Sequence, residues 1–125
     1  MNRRQEISLS EDETRSLLDE ERTVQVATIG PDGWPHLVPM WFVVMDGRIA
    51  FWTYSKSQKI RNLHRDPRIT CLVEAGERYQ DLRGVSIRGN ARLVEDPAGV
   101  LAIGELLFQR YQGKAVTEAF RESIA

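Results

Sequence analysis

Hydroxyl and ammonium side chains follow an apolar segment in the first half of the chain, with a spacing that suits anion binding. The apolar run at positions 49–52 leads into Thr53, Ser57 and Lys59. A helical pattern begins there and ends at Asp66-Pro67. The first N–H groups of a helix have no partner within it, and the helix dipole favours negative charge at that end. The segment therefore predicts a phosphate site at a helix N-terminus.

Lys59 is the main candidate cation of this predicted site, and Ser57 supplies a hydroxyl group. A lysine acts as a point charge toward phosphate and needs no two-point geometry. The alternative is a solvated lysine at the start of a helix. The segment has none of the glycines of a P-loop or a dinucleotide fingerprint, so we expect a different kind of phosphate pocket.

Length and composition indicate one domain over residues 1–125 and exclude several functional classes. The net charge is −1, from 17 Lys+Arg against 18 Asp+Glu, which argues against general nucleic-acid binding. No window approaches the ~20 apolar residues of a membrane span, and the N-terminus lacks the apolar core of a secretory signal. Cys71 is the only cysteine, so no intrachain disulfide forms and a cytoplasmic location is expected.

No set of side chains suited to acid–base, nucleophilic or metal chemistry is visible. His36 and His64 are far apart in sequence, and surface or structural roles are expected for both. Cys71 lies in the apolar run ITCLVEA and is expected in the core. We therefore predict no catalytic residue and no metal ligand. This absence is compatible with a redox role, in which a cofactor carries the chemistry.

Three helices are predicted from capping signals and apolar spacing. Ser10 and Glu13 form a capping box for a first helix that ends near Glu21. The second helix covers residues 57–65. Asp96-Pro97 starts the third, which ends at about Gln112 before Gly113. Its expected core residues are Val100, Leu101, Leu106 and Leu107, and residues 117–124 are predicted to form one more short helix.

Five strands are predicted at residues 23–29, 34–45, 48–54, 68–74 and 82–94. Gly30-Pro31-Asp32-Gly33 and Asp46-Gly47 are turn signals, the second typical of a type I′ hairpin. Gly84 and Gly89 predict a bulge, a bend or a close backbone approach in the last strand. Hairpins with few helices indicate a mainly β fold, a small antiparallel barrel with flanking helices. We expect a ligand to lie outside so small a barrel, in a groove shared with a second subunit.

Three motifs resemble a known family. They are ATIGPDGWPHLVPMWF, the SQKIRNLHRDPR helix segment and LRGVSIRGNARLVED. Together they are similar to the split β-barrel flavin-binding family related to pyridoxamine 5′-phosphate oxidase, and within it to the deazaflavin (coenzyme F-420) dependent reductases of actinobacteria. The resemblance covers roughly residues 17–96. It implies a Greek-key-type split barrel and a homodimer with the cofactor at its interface.

The resemblance also implies which residues contact the cofactor. The phosphate-binding segment corresponds to Ser57, Gln58 and Lys59, with Asn62 further along the helix. The strand along the ring system corresponds to Val38, Pro39, Met40 and Trp41. The remaining matched positions are Trp52 and Thr53 before the helix and Arg83 and Gly84 on a strand taken to neighbour the ring.

The chain departs from the family pattern at two points. The oxidases have an arginine on the second strand that grips the FMN phosphate, and this chain has Val38 there. Family members also usually continue into a final strand beyond the position of Ala125. Either that strand belongs to a tail outside this chain, or the barrel closes without it.

Three functions remain open at this point. The first is a deazaflavin-dependent reductase that transfers a hydride to an unsaturated small molecule. The second is an FMN-binding flavoprotein of the same fold, against which Val38 argues. The third is a protein that binds or sequesters the cofactor without turnover. All three take a small molecule as the partner and neither a nucleic acid nor a membrane.

Overall fold

The computed structural model describes residues 8–53 and 56–112. Along these residues the elements are helix α1 (Glu11–Glu20), strands β1 (Val24–Ile29), β2 (Pro35–Met40), β3 (Val43–Met45) and β4 (Arg48–Ala50), helix α2 (Gln58–Arg65), strand β5 (Arg68–Ala75), a 3-10 turn (Tyr79–Asp81), strand β6 (Arg83–Asn90) and helix α3 (Pro97–Gln112). The predicted helix at residues 117–124 and the stop at Gly113 lie outside the described residues.

The strands form two antiparallel sheets. Four strands pair in the order β2-β1-β5-β6, and β3 pairs with β4 in a separate hairpin. Residues of β1 alternate between buried and half-buried, so one face of the larger sheet covers the core. This mainly β architecture with flanking helices confirms the predicted fold class.

Helix α1 begins as the sequence predicts. Ser10 Oγ accepts a hydrogen bond from Glu13 N–H, and Glu13 Oε1 accepts one from Ser10 N–H. This exchange satisfies two N–H groups at the helix start. The pKa of the Glu13 carboxyl is lowered, because its hydrogen bonds with the Ser10 backbone and hydroxyl favour the ionised form.

The predicted long strand over residues 34–45 is wrong as a single element. It breaks at Trp41 and Phe42 into β2 and β3, so residues 8–53 and 56–112 contain six strands where the sequence predicted five. Side chains of α3 form hydrogen bonds with the backbone groups at the break. The N–H of Phe42 donates to the Tyr111 hydroxyl, and its carbonyl accepts from Arg110. A peptide held in this way has no need of a strand partner.

The turn between β3 and β4 confirms the hairpin prediction. Asp46 and Gly47 both have positive φ, at 54° and 74°, as a type I′ turn requires. However, β4 ends at Ala50, whereas the sequence predicted a strand to Tyr54. Pairing stops where β3 begins, since Val43 pairs with Ala50. Residues 51–53 therefore leave the hairpin without strand structure, and Tyr54 lies outside the described residues.

Strand β6 is regular where the sequence predicted an interruption. Its register with β5 is continuous from Arg68↔Asn90 to Ala75↔Arg83, through both Gly84 and Gly89. Neither glycine forms a bulge, so that one of the three predicted alternatives is wrong. The strand also ends at Asn90 and not at Val94, because its partner β5 starts at Arg68.

The start of α3 is confirmed, and its core is partly as predicted. Asp96 accepts through Oδ2 from Gly99 N–H at 2.8 Å, which caps the helix. Leu107 is buried, whereas Leu106 is exposed, and Ile103 is buried although it was not among the predicted core residues. The predicted and observed buried faces are rotated about the helix axis relative to each other. The α3 face that packs on β3 carries residues 103 and 107, which are one helical turn apart.

Two apolar clusters hold these elements together. The first joins α1 to the larger sheet and contains Leu17, Val24, Val26, Phe42, Cys71 and Val73. The second joins α3 to the hairpin and contains Val43, Ile103 and Leu107, with Trp52 and Tyr111 packed against it. Over residues 8–53 and 56–112, no helix has both the length and the apolar character needed to cross a membrane.

Candidate functional site

Ser57 is the residue before the first turn of α2 and caps that helix. Its Oγ accepts from the N–H of Ile60 at 3.3 Å and from the Thr53 hydroxyl at 3.2 Å. Thr53 is thereby tied to the helix start, although it is not on a strand. The Ser57 hydroxyl hydrogen is not used in either bond and remains able to donate.

The first turn of α2 is electropositive. It contains no acidic residue, and Lys59 on this turn is only half-buried. Among the described residues, none forms an ion pair or hydrogen bond with the Lys59 ammonium group, or accepts from the backbone N–H of Gln58 or Lys59. An anion at this position would meet the helix dipole, free N–H donors and a full positive charge.

The side chains of Gln58 and Asn62 are engaged within the protein. Gln58 donates through Nε2 to Asn62 Oδ1 at 2.7 Å, and Asn62 donates through Nδ2 to Thr28 Oγ1 at 3.0 Å. Asn62 is fully buried. Both residues therefore fix α2 against β1, and Gln58 has its backbone N–H left for a ligand.

Arg65 is a residue of this region that sequence reasoning missed. Its guanidinium donates to the carbonyl of Ile29 at the end of β1 and, at 3.4 Å, to Asn62 Oδ1. It holds the C-terminal end of α2 on the sheet, as the Thr28–Asn62 bond holds its middle. Nothing in the sequence distinguishes Arg65 from the exposed Arg61, since both are arginines on one short helix.

The residues matched to the ring-binding strand lie on β2, an edge strand of the larger sheet. Val38 and Met40 face the core, opposite Val26 and Val24, whereas Pro39 faces outward opposite Gln25. Pro39 has no N–H to donate, which an edge strand tolerates.

Trp41 follows β2 and stacks on Tyr111 of α3. The two ring centroids are 4.4 Å apart and the ring planes differ by 6°. Trp41 is nevertheless 52% exposed. Tyr111 was missed by sequence reasoning because it is 70 positions further along the chain and no local pattern links the two rings.

Arg110 and Tyr111 together fix the segment that carries Trp41. Arg110 lies with its guanidinium carbon 4.4 Å from the Phe42 ring centroid, and it donates to the carbonyls of Phe42, Leu18 and Glu21. Helix α1 has no basic residue in its own last turn, so Arg110 supplies the cation that its C-terminal carbonyls favour.

Trp52 and Thr53 connect the aromatic pair to the helix start. Trp52 packs partly buried against the second cluster, which Tyr111 also contacts, and Thr53 hydrogen-bonds to Ser57. Nine of the twelve predicted site residues thus lie on β2 and its end, on the segment before α2, or on the first turn of α2. Asn62 lies one turn further into α2.

Arg83 and Gly84 are not brought to this group. Strand β6 is at the opposite edge of the sheet from β2, with β1 and β5 between them, so within one chain these two residues are not on a strand next to β2. Arg83 lies 3.5 Å from the Glu20 carboxylate at the end of α1. Only a second subunit would place these residues near a ring on β2.

The remaining titratable candidates have structural or surface positions. Burial raises the pKa of the Cys71 thiol, which packs in the first cluster as predicted. His64 is exposed, 3.6 Å from Glu95. Nδ1 of His36 is buried and hydrogen-bonds to no described group, although the residue as a whole is half-buried. No group of three or more metal-ligating side chains occurs in residues 8–53 and 56–112.

Comparison with protein families decides the identity of the fold. A model of the pyridoxamine 5′-phosphate oxidase family matches residues 10–123. The chain belongs to this family. Its two sheets with flanking helices are accordingly the split barrel that the sequence motifs indicated, and the family is one of flavin-binding proteins. No curated protein matches the chain.

Solved structures extend this comparison. The conserved hypothetical protein Rv2991 from Mycobacterium tuberculosis is 43% identical, with a TM-score of 0.88 over 99% of this chain and 77% of that one. A protein described as an F-420 reductase is 32% identical, with a TM-score of 0.64 over 82% of this chain and 79% of that one. The haem storage protein HutZ from Vibrio cholerae, at 18% identity and a TM-score of 0.72 over 91% of this chain and 80% of that one, shows the fold alone.

Proposed function

We propose that this protein is a cytoplasmic, homodimeric oxidoreductase that uses the deazaflavin coenzyme F-420 to reduce an unsaturated small molecule. The observation that carries the proposal is Lys59 on the first turn of α2, whose ammonium group and neighbouring backbone N–H groups have no partner among the described residues, beside the Ser57 hydroxyl. The 32% identity to an F-420 reductase supports the choice of cofactor.

The residues at the α2 N-terminus fit a phosphate group. The backbone N–H groups of Gln58 and Lys59 have no acceptor among the described residues, and no carboxylate in the first turn opposes an anion. Lys59 would neutralise one phosphate charge. Ser57 would donate its hydroxyl hydrogen while it continues to cap the helix.

The residues around Trp41 fit a planar ring. Pro39 and Trp41 are exposed on and after an edge strand, and the Trp41 indole presents a flat apolar surface. When bound, a reduced deazaflavin supplies the hydride. The chain itself supplies binding and orientation and keeps water from the ring.

FMN is the alternative cofactor, and Val38 argues against it. The related oxidases have an arginine at this position, whereas here the side chain faces the core opposite the fully buried Val26. An apolar, inward-facing residue gives no hydrogen bond to a phosphate. The phosphate would then depend on α2 alone.

The outer face of the larger sheet supports a homodimer. Leu37 is 63% exposed on β2, and Leu72 is 37% exposed on β5. The register places both on the same face, beside Ala27 and Pro39. These side chains form a largely apolar patch around Gln25, and such a patch is typical of a protein–protein contact. A second copy seated there is the partner that the cofactor site requires.

The experiment is a parallel titration of the purified protein with coenzyme F-420 and with FMN, followed by tryptophan fluorescence. We expect tighter binding of the deazaflavin. Lys59→Ala should weaken that binding by about 1–3 kcal/mol, the scale of a lost charged hydrogen bond. Arg61→Ala removes an exposed cation from the same helix and is the matched control.

Three results would count against the proposal. Equal affinity of the Lys59→Ala and Arg61→Ala variants would exclude the phosphate position. Preference for FMN would move the protein to the flavin-dependent alternative. Tight deazaflavin binding without reduction of any acceptor in a broad panel would favour a sequestering protein over an enzyme.

The dimer is tested separately by light scattering during size-exclusion chromatography. Leu37→Asp should shift the mass from dimer to monomer, because it buries a charge in an apolar contact. Leu106→Asp changes another exposed leucine, 37% exposed and on α3, and should leave the dimer intact. A monomeric wild-type protein would contradict this part of the proposal.

A further inference from the structure

Trp41 keeps half of its surface exposed although an aromatic ring already covers one of its faces. The indole is parallel to the Tyr111 ring at a centroid distance of 4.4 Å, so that face is closed to solvent and to ligands. The open area therefore belongs to the opposite face and the edges of the indole. This open face is flat, apolar and next to the exposed end of β2.

Tyr111 cannot easily turn away from this pair, because its hydroxyl is anchored. The hydroxyl accepts from the N–H of Phe42 at 2.9 Å. Its own hydrogen is shared between the carbonyls of Arg22 at 2.8 Å and Phe42 at 2.9 Å. The ring is thus fixed to the residue after Trp41 and to the segment after α1.

We propose that Tyr111 is a positioning residue that holds the Trp41 indole as a stacking platform for a planar tricyclic ring. The inference rests on the proposed function and deepens it by naming how the ring is oriented. A side chain held in its binding orientation before the ligand arrives loses little freedom on binding. A third ring on the open face would complete a stack in the order Tyr111, Trp41, ligand.

Trp52 supports this location for the ring. Tyr111 and Trp52 pack against the same cluster of Val43, Ile103 and Leu107. The next residue, Thr53, hydrogen-bonds to the Ser57 cap of the predicted phosphate site. One continuous set of contacts thus runs from the aromatic pair to the α2 N-terminus.

The test uses the 8-hydroxy-5-deazaflavin chromophore without its phosphate side chain, so that binding reports the ring site alone. Its affinity is measured by calorimetry for the full chain and for Tyr111→Leu, Tyr111→Phe and Trp41→Leu. We expect Tyr111→Leu and Trp41→Leu each to weaken binding about fivefold to tenfold, the scale of one aromatic pair. Tyr111→Phe keeps the ring but loses the hydroxyl anchor, so it should recover only part of that loss.

The double variant Trp41→Leu/Tyr111→Leu separates positioning from a general loss of structure. If Tyr111 acts through Trp41, the double variant binds no more weakly than Trp41→Leu alone. Near-ultraviolet circular dichroism gives a ligand-free readout. The Trp41 signal, obtained as wild type minus Trp41→Leu, should vanish in Tyr111→Leu and be retained in part in Tyr111→Phe.

Three outcomes overturn the inference: unchanged affinity in a folded Tyr111→Leu variant, additive losses in the double variant, or no binding of the chromophore by the wild type. Failure of the proposed function has a different signature. If the intact protein prefers FMN to coenzyme F-420 while the Tyr111 and Trp41 effects persist, the cofactor assignment is wrong and the stacking platform stands.

Discussion

Thr28 and Asn62 form a buried hydrogen bond that joins strand β1 to helix α2. Asn62 Nδ2 donates to Thr28 Oγ1 at 3.0 Å, and the two residues are 0% and 2% exposed. Asn62 is also the residue to which Gln58 and Arg65 donate. The position of the proposed phosphate site on the sheet therefore depends on one buried amide.

Thr28→Val should destabilise the protein, because it removes the hydroxyl that accepts from Asn62 and leaves the buried Asn62 Nδ2 group without this acceptor. We expect a loss of about 1–3 kcal/mol in the free energy of unfolding, measured by urea denaturation. Thr70→Val makes the same substitution on the opposite face of the sheet and is the control. Equal stability of the two variants would contradict a role for the Thr28–Asn62 bond.

Arg110→Met should destabilise the junction between α1, α3 and the break after β2. The substitution keeps the apolar stem but removes the Arg110 donor from the carbonyls of Leu18 and Glu21, and it leaves the Phe42 carbonyl with the Tyr111 hydroxyl alone. We expect a loss of about 2–4 kcal/mol in the free energy of unfolding, measured by chemical denaturation.

Arg88→Met is the control for Arg110→Met, because Arg88 is exposed and its side chain has no hydrogen-bond partner in the described part of the chain. Arg110→Lys should recover only part of the loss, since one ammonium group cannot match the guanidinium fork. If Arg110→Met were as stable as Arg88→Met, the contacts at Arg110 would contribute little.

Gly76→Ala should be poorly tolerated, since Gly76 has a φ of +107° and a Cβ there would lie 2.3 Å from the Asp81 carbonyl oxygen. Backbone strain and this contact together should cost about 2 kcal/mol or more. Gly89→Ala is the matched control, as its Cβ meets nothing within 4 Å. Thermal melts of the two variants compare them directly, and similar midpoints would contradict the expectation.

Acid stability should depend on Asp66. Its hydrogen bonds with the Arg68 side chain and backbone lower the pKa of the carboxyl from 3.8 to about 2. The folded state thus favours the ionised form of Asp66. Its contribution to the free energy of unfolding is therefore complete above pH 3.8 and is lost as pH falls through about 2. In melts from pH 5 to pH 2, Asp66→Asn should lose stability less steeply than the wild type. Parallel curves would show that Asp66 does not contribute.

The sequence predicted the local elements well where a short-range signal exists. Ser10 with Glu13, Asp46-Gly47 and Asp96-Pro97 each mark an end or a turn through bonds between residues two to four positions apart, and all three are confirmed. The family motifs in turn predicted the split barrel. Ser57 was likewise expected at a helix start, and it is the cap of α2.

Sequence patterns failed where distant residues determine the backbone. The break at Trp41 and Phe42 depends on Arg110 and Tyr111 of helix α3, whose side chains hydrogen-bond to the N–H and carbonyl of Phe42. The regular pairing of Gly84 and Gly89 depends on β5, whose continuous ladder leaves no extra residue to bulge.

By itself, the sequence determined the capping and the turns, because these depend on short-range chemistry. Tertiary structure alone decided that Trp41 stacks on Tyr111, that Asn62 is a buried support for α2, and that Arg83 lies at the far edge of the sheet. These facts depend on which elements pack together. Long-range packing depends on the total apolar area that whole helix and sheet faces bury against each other. A short stretch of sequence contains only one of the two faces, so it cannot predict which faces will pack together.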